Sequence, residues 1–150
     1  MTDPYEEFER KCRAIRRENS RLLKGFEGWL KKKGLSEKTV KKHVTNIDFY
    51  LNHCLCYDDP PQTAAEGINR IGYFLGYWFI RKAMWASPAE IRDNAAGLKK
   101  FYAYMTEKGL VSREDLGLVK EEIKAGLPEW IATVQRYDDP DTSIEDVWQI

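Results

Sequence analysis

The chain has 150 residues, of which 43% are hydrophobic and 32% are charged. This length suits one domain with its own hydrophobic core and is too short for two. The 24 basic residues equal the 24 acidic ones, which excludes a protein coated in positive potential.

The charge is distributed unevenly along the chain. Residues 1–56 contain 13 lysines and arginines against 8 acidic residues, and residues 57–111 contain 7 against 6. Residues 112–150 contain 4 against 10. The sequence therefore predicts a basic N-terminal part and an acidic C-terminal part of the chain.

Cysteine usage and hydropathy indicate a cytoplasmic protein. Cys12, Cys54 and Cys56 lack the regular spacing of a disulfide framework, and no N-terminal apolar stretch resembles a signal peptide. The most apolar run, residues 71–85, contains charged residues and glycines and is too short to cross a bilayer. We expect no membrane contact.

Residues 4–33 have the features of a long helix or of two joined ones. Pro4 suits a first helical turn, and apolar residues recur after it at helical spacing. The apolar stripe weakens across residues 16–21. A break near Asn19 and Ser20 would make residues 1–19 an N-terminal helical extension, with Ser20 capping the next helix.

A tight turn and a second helix follow. Gly34 suits the left-handed residue that closes a helix, and Ser36 is a good N-cap, with Thr39 as the second choice. Apolar residues then recur at helical spacing, which predicts one buried face. These residues are Val40, Val44, Ile47, Leu51 and Cys54.

The opposite face of this second helix is basic and hydroxylic. It carries Lys38, Lys41, Lys42 and Thr45. Lysines supply charge to phosphates, and hydroxyls and free backbone N–H groups supply hydrogen bonds, so such a face suits duplex DNA. The alternative is a lysine-rich helix start that only faces water.

The third helix is predicted to begin after its cap, Thr63, and to end at about Met84. The residues before it, Tyr57–Pro61, include two prolines that disfavour a helix. Its apolar residues cover more than one stripe, which predicts burial. Three glycines in it could let a neighbouring helix approach closely. The simpler interpretation, which we prefer from the sequence, is that they tolerate packing. They are Gly67, Gly72 and Gly76.

Two more helices complete the pattern. Ser87 followed by proline starts a fourth helix to Lys108, and Gly109 ends it. Ser112 opens an additional acidic helix over residues 112–137, with an interruption at 126–128. Residues 138–150 form an acidic tail that we expect to be flexible. The fold class is all-α, a compact bundle of four to five helices.

Other binding chemistries find little support in the residues. His53, Cys54 and Cys56 lack zinc-site spacing, and Cys54 falls on the apolar stripe, so we expect a buried structural cysteine and no metal. No glycine-rich loop follows a strand, so no cofactor is predicted. Trp78 and Trp85 could stack bases, but their hydrophobic surroundings favour the core.

Two blocks carry a resemblance to a known family. Residues 26–51 read F-x-x-W-L-x-x-x-G-L-S-x-x-T-V-x-x-x-x-x-x-I-x-x-Y-L. A second block reads S-P-A-E-I from residue 87, L-K-K-F-Y-A-Y-M from residue 98 and K-G-L from residue 108. In order and spacing, they resemble the core-binding domain of phage-integrase-type tyrosine recombinases, over about residues 20–111.

The resemblance implies a SAM-like helical bundle that contacts duplex DNA and takes part in DNA integration and recombination. In that family the core-binding domain packs against one side of the duplex, and a catalytic domain clamps the other. The positions that match the family blocks place DNA contacts on the second and fourth helices. They are Ser36, Lys38, Thr39, Lys41, Lys42 and Thr45, with Arg92 and Lys99.

The catalytic residues of that family have no counterpart here. The family needs a His-x-x-Arg motif, but Asn46 and Cys56 stand three residues after His43 and His53. We therefore expect a non-catalytic domain. Other departures are the N-terminal extension, the aromatic third helix, and Ala95 where the family tends to carry a larger residue.

The alternative is a helical interaction module that keeps the fold without binding DNA. The acidic C-terminal helix and tail would then bind another protein or mask the basic face. The deciding feature is whether the lysines form one continuous surface with Arg92 and Lys99. The acidic residues concerned are Glu114, Asp115, Glu121, Glu122 and those of residues 138–146.

Overall fold

A computed structural model describes residues 3–149, which form six helices and contain no strand. Five helices are long and the sixth is short, so the prediction of an all-α helical bundle is confirmed. The third comprises the consecutive segments Ile71–Tyr73, Phe74–Trp78 and Phe79–Lys82. The helices are α1 Pro4–Lys32, α2 Glu37–Phe49, α3 as just given, α4 Pro88–Glu107, α5 Arg113–Asp138 and α6 Ile144–Trp148.

Helix α1 is continuous, and the predicted break near Asn19 and Ser20 is wrong. Asn19 is buried, and its Nδ2 donates a hydrogen bond to Oδ1 of Asn52 at 2.8 Å. A polar residue in the weak part of the stripe thus has a tertiary partner, which supports the helix where local apolar periodicity is poor. The residues expected to be a separate extension, 4–19, are the first half of α1.

The turn between α1 and α2 has the predicted geometry. Gly34 has φ of +84°, a left-handed conformation that a residue with a Cβ rarely adopts. The Ser36 Oγ accepts a hydrogen bond from the backbone N–H of Thr39 at 3.2 Å, so Ser36 and not Thr39 is the N-cap. The predicted apolar stripe of α2 lies in the core, with Val44 at its edge.

Helix α2 continues beyond Phe49 as a π-helical turn, Tyr50–Cys54, and a 3₁₀ turn, Leu55–Tyr57. Two buried tyrosines form hydrogen bonds with the backbone of the segment that follows. The Tyr50 hydroxyl donates a hydrogen bond to the carbonyl of Gly67, and the Tyr102 hydroxyl donates one to the carbonyl of Ala64 at 2.8 Å. Burial raises the pKa of both phenols, so both remain neutral donors.

The third helix begins later than predicted. Thr63 and Glu66 cap one another through their side chains, but the turn they open is a short 3₁₀ segment, Glu66–Asn69. Helix α3 starts only at Ile71, contains a π-helical stretch at Phe74–Trp78 and ends at Lys82. Among residues 3–149, no helix has the length and hydropathy that crossing a bilayer requires.

Helices α3 and α5 lie close together through two of the glycines. The backbone N–H of Gly72 donates a hydrogen bond to Oε1 of Glu122 at 2.7 Å, and the indole of Trp130 lies against Gly76. A Cβ at Gly76 would be 2.9 Å from two atoms of that ring. The glycines therefore permit close approach, contrary to the simpler interpretation. Pro128 does not interrupt α5.

The acidic tail is folded as far as residue 149. Ser143 caps α6, Val147 is buried, and the Arg136 Nε donates a hydrogen bond to the carbonyl of Val147 at 3.2 Å. The Trp148 ring packs on Tyr77 with centroids 4.9 Å apart. The expected flexible tail thus contains a short docked helix, and the rest of that expectation, residue 150, lies outside the described residues.

The contact between α3 and α5 can be tested with a matched pair of substitutions. Gly76→Ala forces the rigid, buried indole of Trp130 to move, so we expect a loss of about 1–3 kcal/mol in the free energy of unfolding. Gly117 is helical, and a Cβ there would have no atom within 4 Å, so Gly117→Ala should add about 0.5–1 kcal/mol. Urea titration measures both. Equal effects would contradict the close approach.

Candidate nucleic-acid interface

The exposed face of α2 has a cationic half and an aromatic half. Because a helix turns by about 100° per residue, Lys38, Lys42, Thr45, Phe49 and His53 share the side opposite the buried stripe. The two lysines come first along the helix and the two aromatic rings last. A polymer lying along α2 would therefore meet charge at one end and rings at the other.

This face borders a groove of about 890 Å³. Its second wall comprises Trp85, from the loop between α3 and α4, and Asp93, from the second turn of α4. The remaining lining comes from α2 and its extension: Lys38, Thr39, Lys41, Lys42, His43, Thr45, Asn46, Asp48, Phe49 and His53. We call this feature the α2 groove. Its volume lies within the range of pockets that bind small molecules.

The predicted contacts at the start of α2 are close together. Lys38, Lys41 and Thr45 are exposed, and neither lysine forms an ion pair with another residue in 3–149. Ser36 is exposed, but its hydroxyl is already used by the cap and lies 2.9 Å from Oγ1 of Thr39. Free charge on this half of the groove therefore comes from two lysines.

Lys42 is already paired. Its Nζ lies 2.6 and 2.8 Å from the two carboxylate oxygens of Glu90, at the start of α4. Ser87 caps that helix by accepting a hydrogen bond from the N–H of Glu90, which fixes the carboxylate beside α2. Lys42 stays a predicted DNA contact, but Glu90 already balances much of its charge.

Arg92 and Lys99 are exposed on α4 but do not line the α2 groove. The next residue along the helix in each case, Asp93 and Lys100, is close enough to His43 to influence its pKa. The side of α4 nearer α2 thus carries both Asp93 and Lys100, whereas Arg92 and Lys99 are rotated by about 100°. Glu90 and Asp93 thus place carboxylates beside the lysines of α2, so the basic residues of the two helices are interspersed with acidic ones.

Two buried polar side chains in the groove lining lack partners. His43 is 6% exposed and Asn46 is 7% exposed. Neither Nδ1 of His43 nor Nδ2 of Asn46 has a hydrogen-bond partner among the described residues. Unsatisfied buried polar atoms are rare in folded proteins because each costs about 1–3 kcal/mol. Both atoms are themselves buried, so a ligand in the groove would reach them only if the lining rearranged.

The imidazole of His43 is held in its neutral form. Burial is the main cause that lowers its pKa below the usual 6.5, the charge of Lys100 adds to this, and Asp93 acts in the opposite direction. The edge that carries Nδ1 faces Gly97, where a Cβ would be 3.1 Å away. At neutral pH the ring therefore offers hydrogen-bonding groups without adding positive charge.

Phe49 is the centre of an aromatic cluster at the other end of the groove. Its centroid lies 5.3 Å from that of His53, 5.3 Å from Trp78 and 5.4 Å from Trp85. Trp78 is buried, as predicted. Trp85, however, is 54% exposed, which corrects its assignment to the core.

The sequence prediction assigned Trp85 to the core and did not single out Phe49, although two signals for the aromatic half exist. Phe49 lies off the apolar stripe of α2, at the spacing of Lys38, Lys42 and Thr45. Trp85 lies between the end of α3 and the Ser87 cap, where no helix stripe can bury it. Large aromatic residues in such positions indicate rings at the surface, and the Trp85 ring is exposed whereas the Phe49 ring is half-buried.

The cysteines are buried, as predicted for Cys54. Burial raises the pKa of Cys54 to about 12, so its thiol is protonated at neutral pH. Cys12 and Cys56 are buried as well, and Sγ of Cys12 donates a weak hydrogen bond to the carbonyl of Cys56 at 3.7 Å. Within residues 3–149, no three histidine, cysteine or acidic side chains form a group that could hold a metal ion.

The acidic surface is partly used inside the protein. Glu122 accepts the hydrogen bond from Gly72 described above, so it is not free for a partner. Asp115 is half-buried in the first turn of α5. Glu114 and Glu121 are exposed, and Leu118 between them is 58% exposed, on one face of α5.

The chain matches no protein-family model, and no match is found among curated proteins or solved structures. The resemblance to the core-binding domain of tyrosine recombinases therefore stays a prediction, as do the absence of catalysis and the DNA contacts.

The neutral His43 leads to a prediction about stability and pH. Because its pKa is lower in the folded chain than in the unfolded one, its contribution is complete above about pH 6.5 and is lost as the pH falls through that region. His43→Gln cannot take up this proton. Its free energy of unfolding should therefore fall less between pH 7 and pH 5 than that of the unmodified protein.

Urea titrations at several pH values measure this effect, and other titrating groups cancel in the comparison. His53→Gln, which removes an exposed imidazole from the same helix face, is the matched control. A fall for His43→Gln as large as that for His53→Gln would show that His43 is not held neutral by folding.

Proposed function

We propose that this protein binds duplex DNA through the first half of α2, without catalysing a reaction on it. One observation supports this most directly: Lys38 and Lys41 are exposed side by side with Thr45 at the edge of the groove, and form no ion pair within residues 3–149. Such side chains bind phosphates and carry no information about base sequence.

The charges around this site limit its affinity. The groove lining contains three lysines and two aspartates, and Glu90 balances Lys42. Few counterions would be released on binding, so the electrostatic free energy of binding is small. The resemblance to core-binding domains agrees with this, because such a domain contacts one side of a duplex and relies on a second domain for the other. The chain has no His-x-x-Arg motif for strand cleavage.

The salt dependence of binding tests the proposal. Lys38 and Lys41 each release about one counterion, and Lys42 contributes a fraction, so log affinity against log salt should have a slope of about −1.8 to −2.7. Replacing Lys38 and Lys41 with Ala should reduce the magnitude of the slope by about 1.8 and weaken binding to all duplex sequences alike. Fluorescence anisotropy with a labelled duplex measures both quantities.

The matched control removes the same charge elsewhere. Lys120 and Lys124 are exposed on α5, so their joint replacement with Ala lowers the net charge equally and should leave the slope unchanged. A joint Ala replacement of Arg92 and Lys99 shows whether the footprint extends over α4; we expect a smaller change than for the α2 pair. Absence of duplex binding at low salt would refute the proposal.

A second candidate function is protein binding through α5. The exposed face with Glu114, Leu118 and Glu121 combines two carboxylates with an apolar side chain, a pattern that suits a basic amphipathic helix. This function would gain support if duplex DNA failed to bind and if Leu118→Ala or a charge reversal at Glu121 abolished binding of a basic helical peptide.

A further inference from the structure

The aromatic half of the α2 groove has no role in binding duplex phosphates. In a duplex the bases are stacked and paired, so their faces cannot reach a protein ring unless the base leaves the stack. The groove nevertheless has the exposed indole of Trp85, the exposed imidazole of His53 and the half-buried ring of Phe49, and the polar side chains of Asn46 and His43 also line it. These groups match the chemistry of a nucleobase, which has an aromatic face and a polar edge.

We propose that the aromatic half of the α2 groove binds an unpaired nucleotide of a DNA strand, with its base stacked on Trp85. This inference rests on the proposed function, because the same strand would place its phosphates at Lys38 and Lys41. It adds a preference for unpaired over paired DNA, which phosphate contacts alone do not give.

The Trp85 ring packs against two other aromatic rings, and the rest of it is exposed. Its ring packs on Phe49 at 5.4 Å and on Phe79 at 6.3 Å, with interplanar angles of 55° and 79°. Phe79 is buried in the core, and it holds the indole in place although 54% of Trp85 is exposed. A ring fixed in this way loses little side-chain entropy when a base stacks on it.

The polar edge of a base would meet Asn46 and His43. The amide of asparagine offers a donor and an acceptor, and rotation about its broad terminal torsion exchanges them. The imidazole of His43 is neutral, so it does not attract further phosphates to this end of the groove. The unpartnered Nδ1 of His43 and Nδ2 of Asn46 are themselves buried, and Nδ1 faces Gly97, so a base would meet only the part of each side chain that lines the groove.

The charges of the groove would orient a bound nucleotide, with its phosphate at the lysine end and its base at the aromatic end. Lys41 and Phe49 are eight residues apart, so about 12 Å along the helix axis separates the unpaired lysines from the aromatic cluster. That distance is close to the length of one nucleotide from its phosphate to the far edge of its base. Asp48 and Asp93 also line the groove and repel phosphates, which confines the phosphates to the lysine end.

The experiment compares strands that differ only in their bases. The probes are a labelled thymidine strand of about 12 nucleotides, within the range that one single-strand-binding domain covers, and an abasic strand of equal length. A fully paired duplex is the third probe. We expect the unmodified protein to bind the thymidine strand about 5- to 150-fold more tightly than the abasic strand at low salt, as measured by anisotropy.

Substitutions at one position assign the preference to Trp85. Trp85→Leu keeps an apolar side chain against Phe49 but removes the aromatic face, so the preference for the thymidine strand should disappear. Trp85→Phe should keep most of it. Met84→Ala is the matched control, because Met84 is the adjacent residue, is 99% exposed and does not line the groove. Helical circular dichroism confirms that each variant is folded.

The outcomes separate this inference from the proposed function. Equal affinity for thymidine and abasic strands, with duplex binding intact, would overturn the nucleotide site alone. No binding to any probe at low salt would overturn both. If thymidine 5′-monophosphate displaced the strand at concentrations equal to those of the unlabelled strand, the site would be one for a free nucleotide, and the assignment to a DNA strand would fail.

Discussion

The burial of one face of α2 determines where the rest of the candidate site lies. Val40, Ile47 and Leu51 are in the core, where α2 contacts both α1 and α4. With this face fixed, Lys38, Thr45 and Phe49 must point to the opposite side, because a helix is a rigid spiral with 3.6 residues per turn. A rotation of α2 that exposed its apolar stripe would separate the lysines from Trp85 and abolish the groove.

The starts of three helices were predictable from the sequence because their causes are local, whereas the start of α3 was not. Ser36, Ser87 and Ser112 each cap a helix by accepting a hydrogen bond from the N–H three residues later. The errors occur where distant contacts decide. Asn19 keeps α1 intact through Asn52, 33 residues away, and Trp130 packs α5 onto α3 on the far side of Pro128. Single-residue propensities contain no information about such partners.

The same distinction applies to the site. The helical period alone places Lys38, Lys41 and Thr45 on the exposed face, and it would have placed Phe49 there as well. The pairing of Lys42 with Glu90 spans 48 residues and depends on how α4 packs on α2. Trp85 reaches the groove from a loop, whose course follows from the positions of α3 and α4 and not from any pattern in its own residues.

Because Lys42 is paired, binding of a DNA strand in the groove would depend on both its unpaired lysines and its aromatic rings. Lys42 already shares its charge with Glu90, so a phosphate at Lys42 gains less electrostatic free energy than one at an unpaired lysine. Lys38 and Lys41 remain for phosphates, but they are exposed, so salt screens their attraction. Stacking on Trp85 is not screened in this way. Charge would thus bring any strand to the groove, whereas only an unpaired base could make the contact that holds it there.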